Sequence, residues 1–197
     1  MRISAAIVLT AGLVALATRS VSAQANDSMP FHRGQWAANF TIGSGFAGAG
    51  VLHFKSATRA LLLDIAGFYS HDNNSNGATS YIPNAGNITL RFGSRSYRAL
   101  TGRVYRWTSI GVFGAYTKQT TVFPLGTTQI SESVNGGIFG NLGATWMVTP
   151  HLGLGALWEA RLGYSHQTTA ATGNPTVTDN TVSITLDHVA LTGQIFF

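Results

Sequence analysis

The segment from residue 152 to residue 165 alternates between two kinds of side chain. Its even positions, from Leu152 to Tyr164, are all apolar, whereas its odd positions include three glycines together with Glu159 and Arg161. A period of two is typical of a β-strand, because successive side chains point to opposite faces. The pattern therefore predicts a strand with one apolar face and one face that carries the charges.

The same alternation recurs along the chain and predicts eight strands. Most of them reach the 9–11 or so residues that a tilted strand needs to cross a membrane. The parity shifts within the last strand, which predicts a β-bulge near Asp187. The predicted strands span residues 34–42, 48–55, 59–69, 87–97, 104–117, 136–148, 151–167 and 182–197.

The predicted connections are of two lengths. Those after the second, fourth and sixth strands are short, whereas those after the third, fifth and seventh are long and polar; the first, residues 43–50, is intermediate and rich in glycine. Alternation of short and long connections is typical of outer-membrane β-barrels. A soluble β-sandwich or lipid-binding barrel is the alternative, but such a fold does not require short connections at one end of the strands and long ones at the other.

Aromatic residues fall near both ends of the predicted strands, on the apolar parity. Two such girdles, one at each interface, are favoured by the lipid headgroup regions. One predicted girdle contains Tyr69, Tyr116 and Tyr164, and the other contains Trp36, Trp146 and Phe197. The sequence thus predicts an all-β protein, an eight-stranded antiparallel up-and-down transmembrane barrel.

Composition and the first residues agree with this interpretation. Charged residues make up only 10% of the chain, compared with about a quarter in soluble domains. Arg2, an apolar run and small residues before Gln24 predict a signal peptide over 1–23, cleaved after Ala23 or Ala25. The mature domain, 24–197, has no cysteine, and its ten Lys and Arg against seven Asp and Glu give too mild a charge to indicate nucleic-acid binding.

The chain also resembles a known group of proteins. The segment NLGATWMVTPHLGLGALWEARLGYS is similar to a hairpin of small eight-stranded outer-membrane proteins, as is GQWAANFTIGSG at the first strand. The C-terminal VALTGQIFF resembles the signal read by the barrel-assembly machinery, with Phe197 as its final aromatic. The resemblance is to the barrels of outer-membrane proteins A, X and W. It implies an outer-membrane location and contacts with lipid and with that machinery; we expect a monomer without cofactor or metal.

The polar faces are predicted to line the interior. A charge on the lipid face at mid-membrane would cost about 2–4 kcal/mol, and eight strands leave an interior that side chains about fill. We expect Asp64 to lie near Arg91 and Glu159 to lie opposite Asn141. The predicted interior polar residues are His53, Lys55, Asp64, Arg91, Arg95, Asn141, Glu159, Arg161, His188 and Gln194.

Several functions are compatible with such an interior. A polar plug that holds the barrel closed indicates a structural role, or surface interaction through the outer loops, whereas rearranging ion pairs would give a narrow pore. The resemblance to protein W implies a lateral channel for small apolar solutes, with Phe68, Phe113, Phe139 and Leu157 as apolar lining. Some related barrels modify lipid A. The segments 70–72 and 165–166 carry Ser and His, but adjacent strand residues face opposite ways, so we expect no enzyme.

Overall fold

The computed structural model describes residues 29–43, 46–71, 74–76, 79–123 and 127–197, without the side chains of 71, 74–76, 79–83, 187 and 188. The predicted signal peptide and its cleavage site lie outside the described residues. Within the described part of the chain, no helix is long and apolar enough to cross a membrane. The strands are β1 Trp36–Gly43, β2 Phe46–Ser56, β3 Arg59–His71, β4 Asn74–Asn76, β5 Thr79–Thr101, β6 Val104–Val122, β7 Thr128–Thr149, β8 Leu152–Ala171 and β9 Val177–Phe196.

Eight of these strands form a closed antiparallel ring. Each long strand pairs with its neighbours along the chain, β3 pairs directly with β5, and β1 pairs with β9 to close the circle. The three-residue β4 pairs only with the outer end of β5. Closure leaves no sheet edge in the ring, which is what a strand-built membrane protein requires because lipid cannot satisfy unpaired backbone groups. The predicted up-and-down barrel of eight strands is confirmed.

The register agrees with the sequence at the positions that matter for the interior. Asp64 pairs with Arg91 across β3 and β5, and Asn141 pairs with Glu159 across β7 and β8. The predicted bulge is also present: the pairing of β8 with β9 shifts between Glu159 and Arg161. The short turns fix this register, since a slip by one residue would send every polar side chain to the lipid face.

The outer connections are much shorter than predicted. Strands β8 and β9 are separated by only residues 172–176, and β6 and β7 by 123–127. Thr and Ser in the predicted loops instead continue the ladders, for example through the Ser131–Thr169 side-chain hydrogen bond of 3.0 Å. These residues suit an exposed strand as well as a loop, so the outer hairpins are extended β-ribbons. Gly173 ends one of them at φ +81°, a left-handed conformation that favours glycine.

Alternation sorts the side chains between lipid and interior. A broad belt of large apolar side chains is exposed on the outer wall, including Leu63, Leu90 and Phe92. Strand β2 departs from the prediction, because its inward residues are Leu52 and Phe54, both fully buried.

His53 and Lys55 of β2 therefore lie on the outer wall, and their predicted place in the interior is wrong. The His53 ring stacks on Trp36, with 4.4 Å between the ring centroids. The physical reason is that this level of the interior is filled by apolar rings rather than by polar groups.

Candidate functional site in the barrel interior

The end of the barrel with the short turns is closed by an aromatic cluster. Phe31, which precedes β1, is buried inside it with ring-centroid distances of 4.9 Å to Phe54, 4.8 Å to Tyr97 and 5.2 Å to Phe196. The segment before β1 is held there because the Gly34 amide donates to the Phe54 carbonyl oxygen at 2.8 Å. We call these rings the aromatic base: Phe31, Phe54, Tyr97, Tyr105 and Phe196.

Beyond the aromatic base lies a layer of buried polar side chains. The low dielectric of a buried layer makes each hydrogen bond in it strong and each unpaired group costly. We call this layer the interior network. It consists of Asn39, Asp64, Arg91, Arg95, Ser109, Asn141, Thr145, Glu159 and Gln194.

Glu159 is the centre of the charged part of the interior network. Its carboxylate accepts a hydrogen bond from Arg91 Nη1 at 2.8 Å and forms a second ion pair with Arg161, two residues along β8. Arg91 Nη2 also lies 3.9 Å from Asp64 Oδ2. With its nitrogen oriented toward Glu159, the Asn141 amide donates to the carboxylate at 2.8 Å. One carboxylate thus holds together side chains from β5, β7 and β8.

Arg95 is fixed mainly by neutral partners. Its guanidinium carbon lies 3.8 Å from the centroid of the Trp107 ring, a cation–π contact. Arg95 Nε donates to Ser109 Oγ at 3.1 Å, and Nη1 donates to Asn39 Oδ1 at 3.4 Å. Gln194 Nε2 also donates to Asn39 Oδ1, at 3.3 Å. These contacts connect β1, β5, β6 and β9 across the interior.

Glycine makes room for the bulkiest ring in this layer. A Cβ atom on Gly143 would lie 2.4 Å from Trp107 Cζ2, which is closer than carbon atoms approach each other. The Trp107 ring is fully buried, and its Nε1 donates to Thr145 Oγ1 at 3.0 Å. The ring therefore lies flat against the glycine backbone, and part of the high glycine content serves interior packing.

The structure places the predicted site residues in different surroundings. Most of the predicted interior residues are buried in the layer just described. Arg161 is partly exposed, with 19% of its side chain accessible, and it lies beyond Glu159 toward the outer end. The backbone of His188 pairs with Glu159, but the His188 side chain lies outside the described residues. The residues of the two predicted girdles are all exposed on the outer wall: Trp36, Tyr69, Tyr116, Trp146, Tyr164 and Phe197.

Beyond the interior network the barrel is hollow. A cavity of about 270 Å³ begins one inward position above the charged residues: Ala66 follows Asp64 on β3, and Arg161 follows Glu159 on β8. We call it the outer cavity. Its lining includes Phe46, Phe68, Asn87, Phe113, Asn135 and Arg161.

The serine and histidine residues considered for catalysis do not form a pair on β8. Ser165 Oγ is hydrogen-bonded to Ser133 Oγ at 2.9 Å. His166 Nδ1 lies 2.8 Å from Asn180 Oδ1. In the other segment, the His71 side chain and Asp72 lie outside the described residues. The described residues thus place Ser165 and His166 in separate contacts on opposite faces of the strand.

Two features of the interior were missed by sequence reasoning. Phe31 lies in a segment with no periodic pattern, so nothing indicated that it enters the barrel. Trp107 has the inward parity of β6, which alternation could have identified. Its place beside Arg95 depends on the cross-strand neighbours and on the space left by Gly143.

Comparison with known proteins bears on the fold. No protein-family model matches the sequence, and no curated protein matches it. A major outer membrane protein from Thermus thermophilus is similar in structure, with a TM-score of 0.58 and 12% identity over 83% of this chain and 98% of that chain.

Two further solved structures are less similar. The N-terminal β-barrel domain of Pseudomonas aeruginosa OprF has a TM-score of 0.46 and 10% identity, covering 85% of this chain and 100% of that chain. Acinetobacter baumannii CarO has a TM-score of 0.46 and 12% identity, covering 87% and 100%. The outer-membrane location expected from the sequence agrees with the likeness to the Thermus protein. At 12% identity that likeness shows the fold alone, and the fold is that of a small outer-membrane β-barrel.

Proposed function

We propose that this protein is a structural, surface-exposed barrel of the outer membrane that is closed to solutes along its axis. The observation that carries the proposal is the filling of the interior at the level of the interior network. An eight-stranded barrel is about wide enough for side chains alone. The fully buried side chains at this level include the following: Trp107, Arg95, Gln194, Glu159, Asn39 and Thr145.

The aromatic base blocks the barrel axis a second time, below the interior network. Phe31 contacts rings from β2, β5, β6 and β9, so a solute that passed the interior network would still meet packed aromatic side chains. Two layers of different chemistry would both have to open before ions could pass. A rearrangement of ion pairs alone, as in a gated pore, leaves the second layer in place.

Single-channel recording in planar bilayers tests this proposal. We expect the purified mature protein to give no discrete openings above the bilayer background. The positive control is the triple variant Phe31→Ala/Arg95→Ala/Trp107→Ala, which removes Arg95 of the interior network, the Trp107 ring that packs on it and the central ring of the aromatic base, and should admit ions. Sustained discrete openings from the unmodified protein would overturn the proposal.

A lateral path for small apolar solutes is the second candidate function. It is supported by the shortness of β1, which has eight residues where a membrane strand needs about 9–11. β9 pairs with β8 out to Val177, but among the described residues its pairing with β1 ends at Ala190. Beyond that point the barrel wall between β9 and β2 is low.

Lengthening the β1–β2 hairpin tests the lateral path. A few residues that continue the alternation on each strand would raise the low wall. If the path operates, uptake of a short alkane by cells expressing the lengthened protein should fall to that of cells without it. Equal uptake with the original and the lengthened hairpin would remove this function.

A further inference from the structure

The outer cavity has an apolar side formed by aromatic rings. Phe46 at the start of β2, Phe68 on β3 and Phe113 on β6 all line it. Phe68 is 41% exposed even though it has the inward parity of β3, because it borders this empty space. A volume of about 270 Å³ is just below the usual range for small-molecule sites, about 300–1,000 Å³. The cavity therefore suits a small molecule with an apolar body.

The lining of the outer cavity also includes polar groups. Asn135 Oδ1 is buried and accepts no hydrogen bond from the described residues. Leaving a buried acceptor unpaired costs about 1–3 kcal/mol, so a ligand that donates a hydrogen bond there would be favoured. Asn87 differs, because its Nδ2 already donates to Thr117 Oγ1 at 2.8 Å. Asn135 Oδ1 is packed against the Gly163 backbone beside the Phe113 ring, so a ligand in the cavity reaches it once the Asn135 amide turns away from Gly163.

The charge balance of the interior favours an anion. Among the described side chains of the interior network and the outer cavity, the guanidinium groups of Arg91, Arg95 and Arg161 face only the carboxylates of Asp64 and Glu159, which leaves one positive charge in excess. A low dielectric makes such an excess attractive to an anion over several ångströms.

Arg161 is the arginine that an anion in the outer cavity can reach. It lines the cavity and is 19% exposed, whereas Arg91 is only 2% exposed. Its guanidinium carbon also lies 5.4 Å from the Phe113 ring centroid, so the charge and the apolar side of the cavity are adjacent. A carboxylate suits this position, because guanidinium and carboxylate groups match in geometry.

We propose that the outer cavity binds a small monocarboxylate with an aromatic or short alkyl body. The carboxylate lies at Arg161, and the apolar body packs against Phe68 and Phe113. A hydroxyl or N–H group on the body donates to Asn135 Oδ1. Such an acid could come from the external water, or it could be a single-chain fatty acid of the outer leaflet of which only the carboxyl end occupies the cavity. The shared chemistry is a carboxylate on an apolar body.

Titration of the mature protein in nanodiscs of zwitterionic lipid tests this site. The probes are 3-phenylpropionate, its 4-hydroxyphenyl analogue and the neutral alcohol 3-phenylpropanol, with binding followed by NMR chemical shifts and empty nanodiscs as the blank. We expect the acid to bind at least tenfold more tightly than the alcohol, and the hydroxylated acid more tightly still. A parallel titration with hexadecanoate distinguishes a lipid source, because a larger affinity for it points to the outer leaflet and a smaller one to the external water.

Two variants assign the binding to this cavity. Arg161→Gln should remove the preference for the acid over the alcohol, and Asn135→Leu should remove the gain from the hydroxyl group. Lys118→Gln is the matched control, since it deletes a cation on the exposed outer wall and should change neither affinity. If Arg161→Gln does not fold, Ala115→Phe fills the cavity from β6 and should weaken all three probes.

The proposal is overturned if the acid binds no more tightly than the alcohol to the unmodified protein. It is equally overturned if folded Arg161→Gln or Ala115→Phe binds the acid as well as the original does. The binding experiments and the bilayer recordings can fail separately. The cavity can bind or not bind the acid in a barrel that is closed to ions, and the same holds in a barrel that conducts them.

Discussion

The two halves of the barrel interior differ although the same eight strands enclose both. Toward the short turns, inward positions carry large side chains such as Trp107, Arg95 and Phe54, and the space is filled. Toward the outer end, inward positions carry small ones such as Ala66 and Ala115, and a cavity of about 270 Å³ remains. Because strand number sets the width of a barrel, side-chain size decides whether a given level is closed or hollow.

The largest expected effect comes from removing the carboxylate that holds the filled half together. Glu159→Ala leaves Arg91 and Arg161 without their shared partner inside the barrel. Breaking a buried ion pair from one side costs about 3–5 kcal/mol, and we expect a loss of this size in the free energy of unfolding, measured by urea denaturation in lipid vesicles. Glu159→Gln, which keeps the shape, should lose less. A loss below about 1 kcal/mol for Glu159→Ala would mean that the charges are not coupled as the geometry indicates.

The aromatic base should be the next most sensitive part. Replacing a buried Phe by Ala typically lowers the free energy of unfolding by about 3–5 kcal/mol. We expect the loss for Phe31→Ala to lie near the lower limit, because the segment before β1 can detach without opening the ring of strands. Phe68→Ala is the matched variant in the hollow half, and it should cost clearly less since Phe68 already borders a cavity. Urea denaturation of both variants measures the difference. Equal losses would show that the outer half is packed as tightly as the base.

The wall of the barrel was predictable from the sequence, because each strand had to alternate and each short turn limited the register. This is why the pairings of Asp64 with Arg91 and of Asn141 with Glu159 were expected before the structure. Alternation does not state which face is inward where both faces contain apolar residues. In β2 the inward face carries Leu52 and Phe54, so assigning the polar face to the interior placed His53 on the wrong side.

The contents of the interior were only partly predictable. The charged residues were identified because lipid excludes them, but which arginine meets which carboxylate depends on contacts across the ring. Phe31 has no pattern around it, and its burial depends on rings from four strands. The outer cavity exists because the inward side chains at that level are too small to fill the space. A sequence gives the size of each side chain but does not show which side chains face each other.

Glycine-to-alanine changes compare the two halves with a single methyl group. A Cβ on Gly143 would lie 2.4 Å from the buried Trp107 ring, whereas a Cβ on Gly163 would lie 2.7 Å from Asn135 Oδ1 and 3.1 Å from Phe113, beside the outer cavity. Overpacking a filled core costs about 1–3 kcal/mol, and we expect this from Gly143→Ala but little from Gly163→Ala, whose neighbours can move into empty space.

Gly140→Ala is the control for the intrinsic effect of the substitution in a strand. It lies on the same strand as Gly143, and its nearest contact would be the Ser109 carbonyl oxygen at 3.9 Å. Thermal denaturation of the three variants in one detergent gives the ranking. If Gly163→Ala is as destabilising as Gly143→Ala, the side chains around Gly163 cannot move into the outer cavity, and the contrast between the two halves is wrong.

The smallest expected effect comes from the exposed Lys118–Glu132 ion pair, whose charged atoms are as close together as those of the buried Arg91–Glu159 pair. Lys118 Nζ lies 2.8 Å from Glu132 Oε1, as Arg91 Nη1 does from Glu159 Oε2, but the Lys118 and Glu132 side chains are about half exposed on the outer wall. Water screens such a pair, so Lys118→Gln should leave the unfolding transition almost unchanged at neutral pH.

The pH dependence of this exposed pair gives a direct measurement of its contribution. The hydrogen bond from Lys118, together with its charge, lowers the pKa of Glu132 below the ordinary value. A lowered folded-state pKa stabilises the protein above the ordinary pKa of the carboxyl group, and that contribution is lost as the pH falls through the folded-state pKa. NMR titration should show the pKa of Glu132 rising toward its ordinary value in Lys118→Gln. If the variant instead unfolds as readily at neutral pH as Glu159→Ala, exposure does not distinguish the two pairs, and the contrast between a dry interior and a solvated wall is wrong.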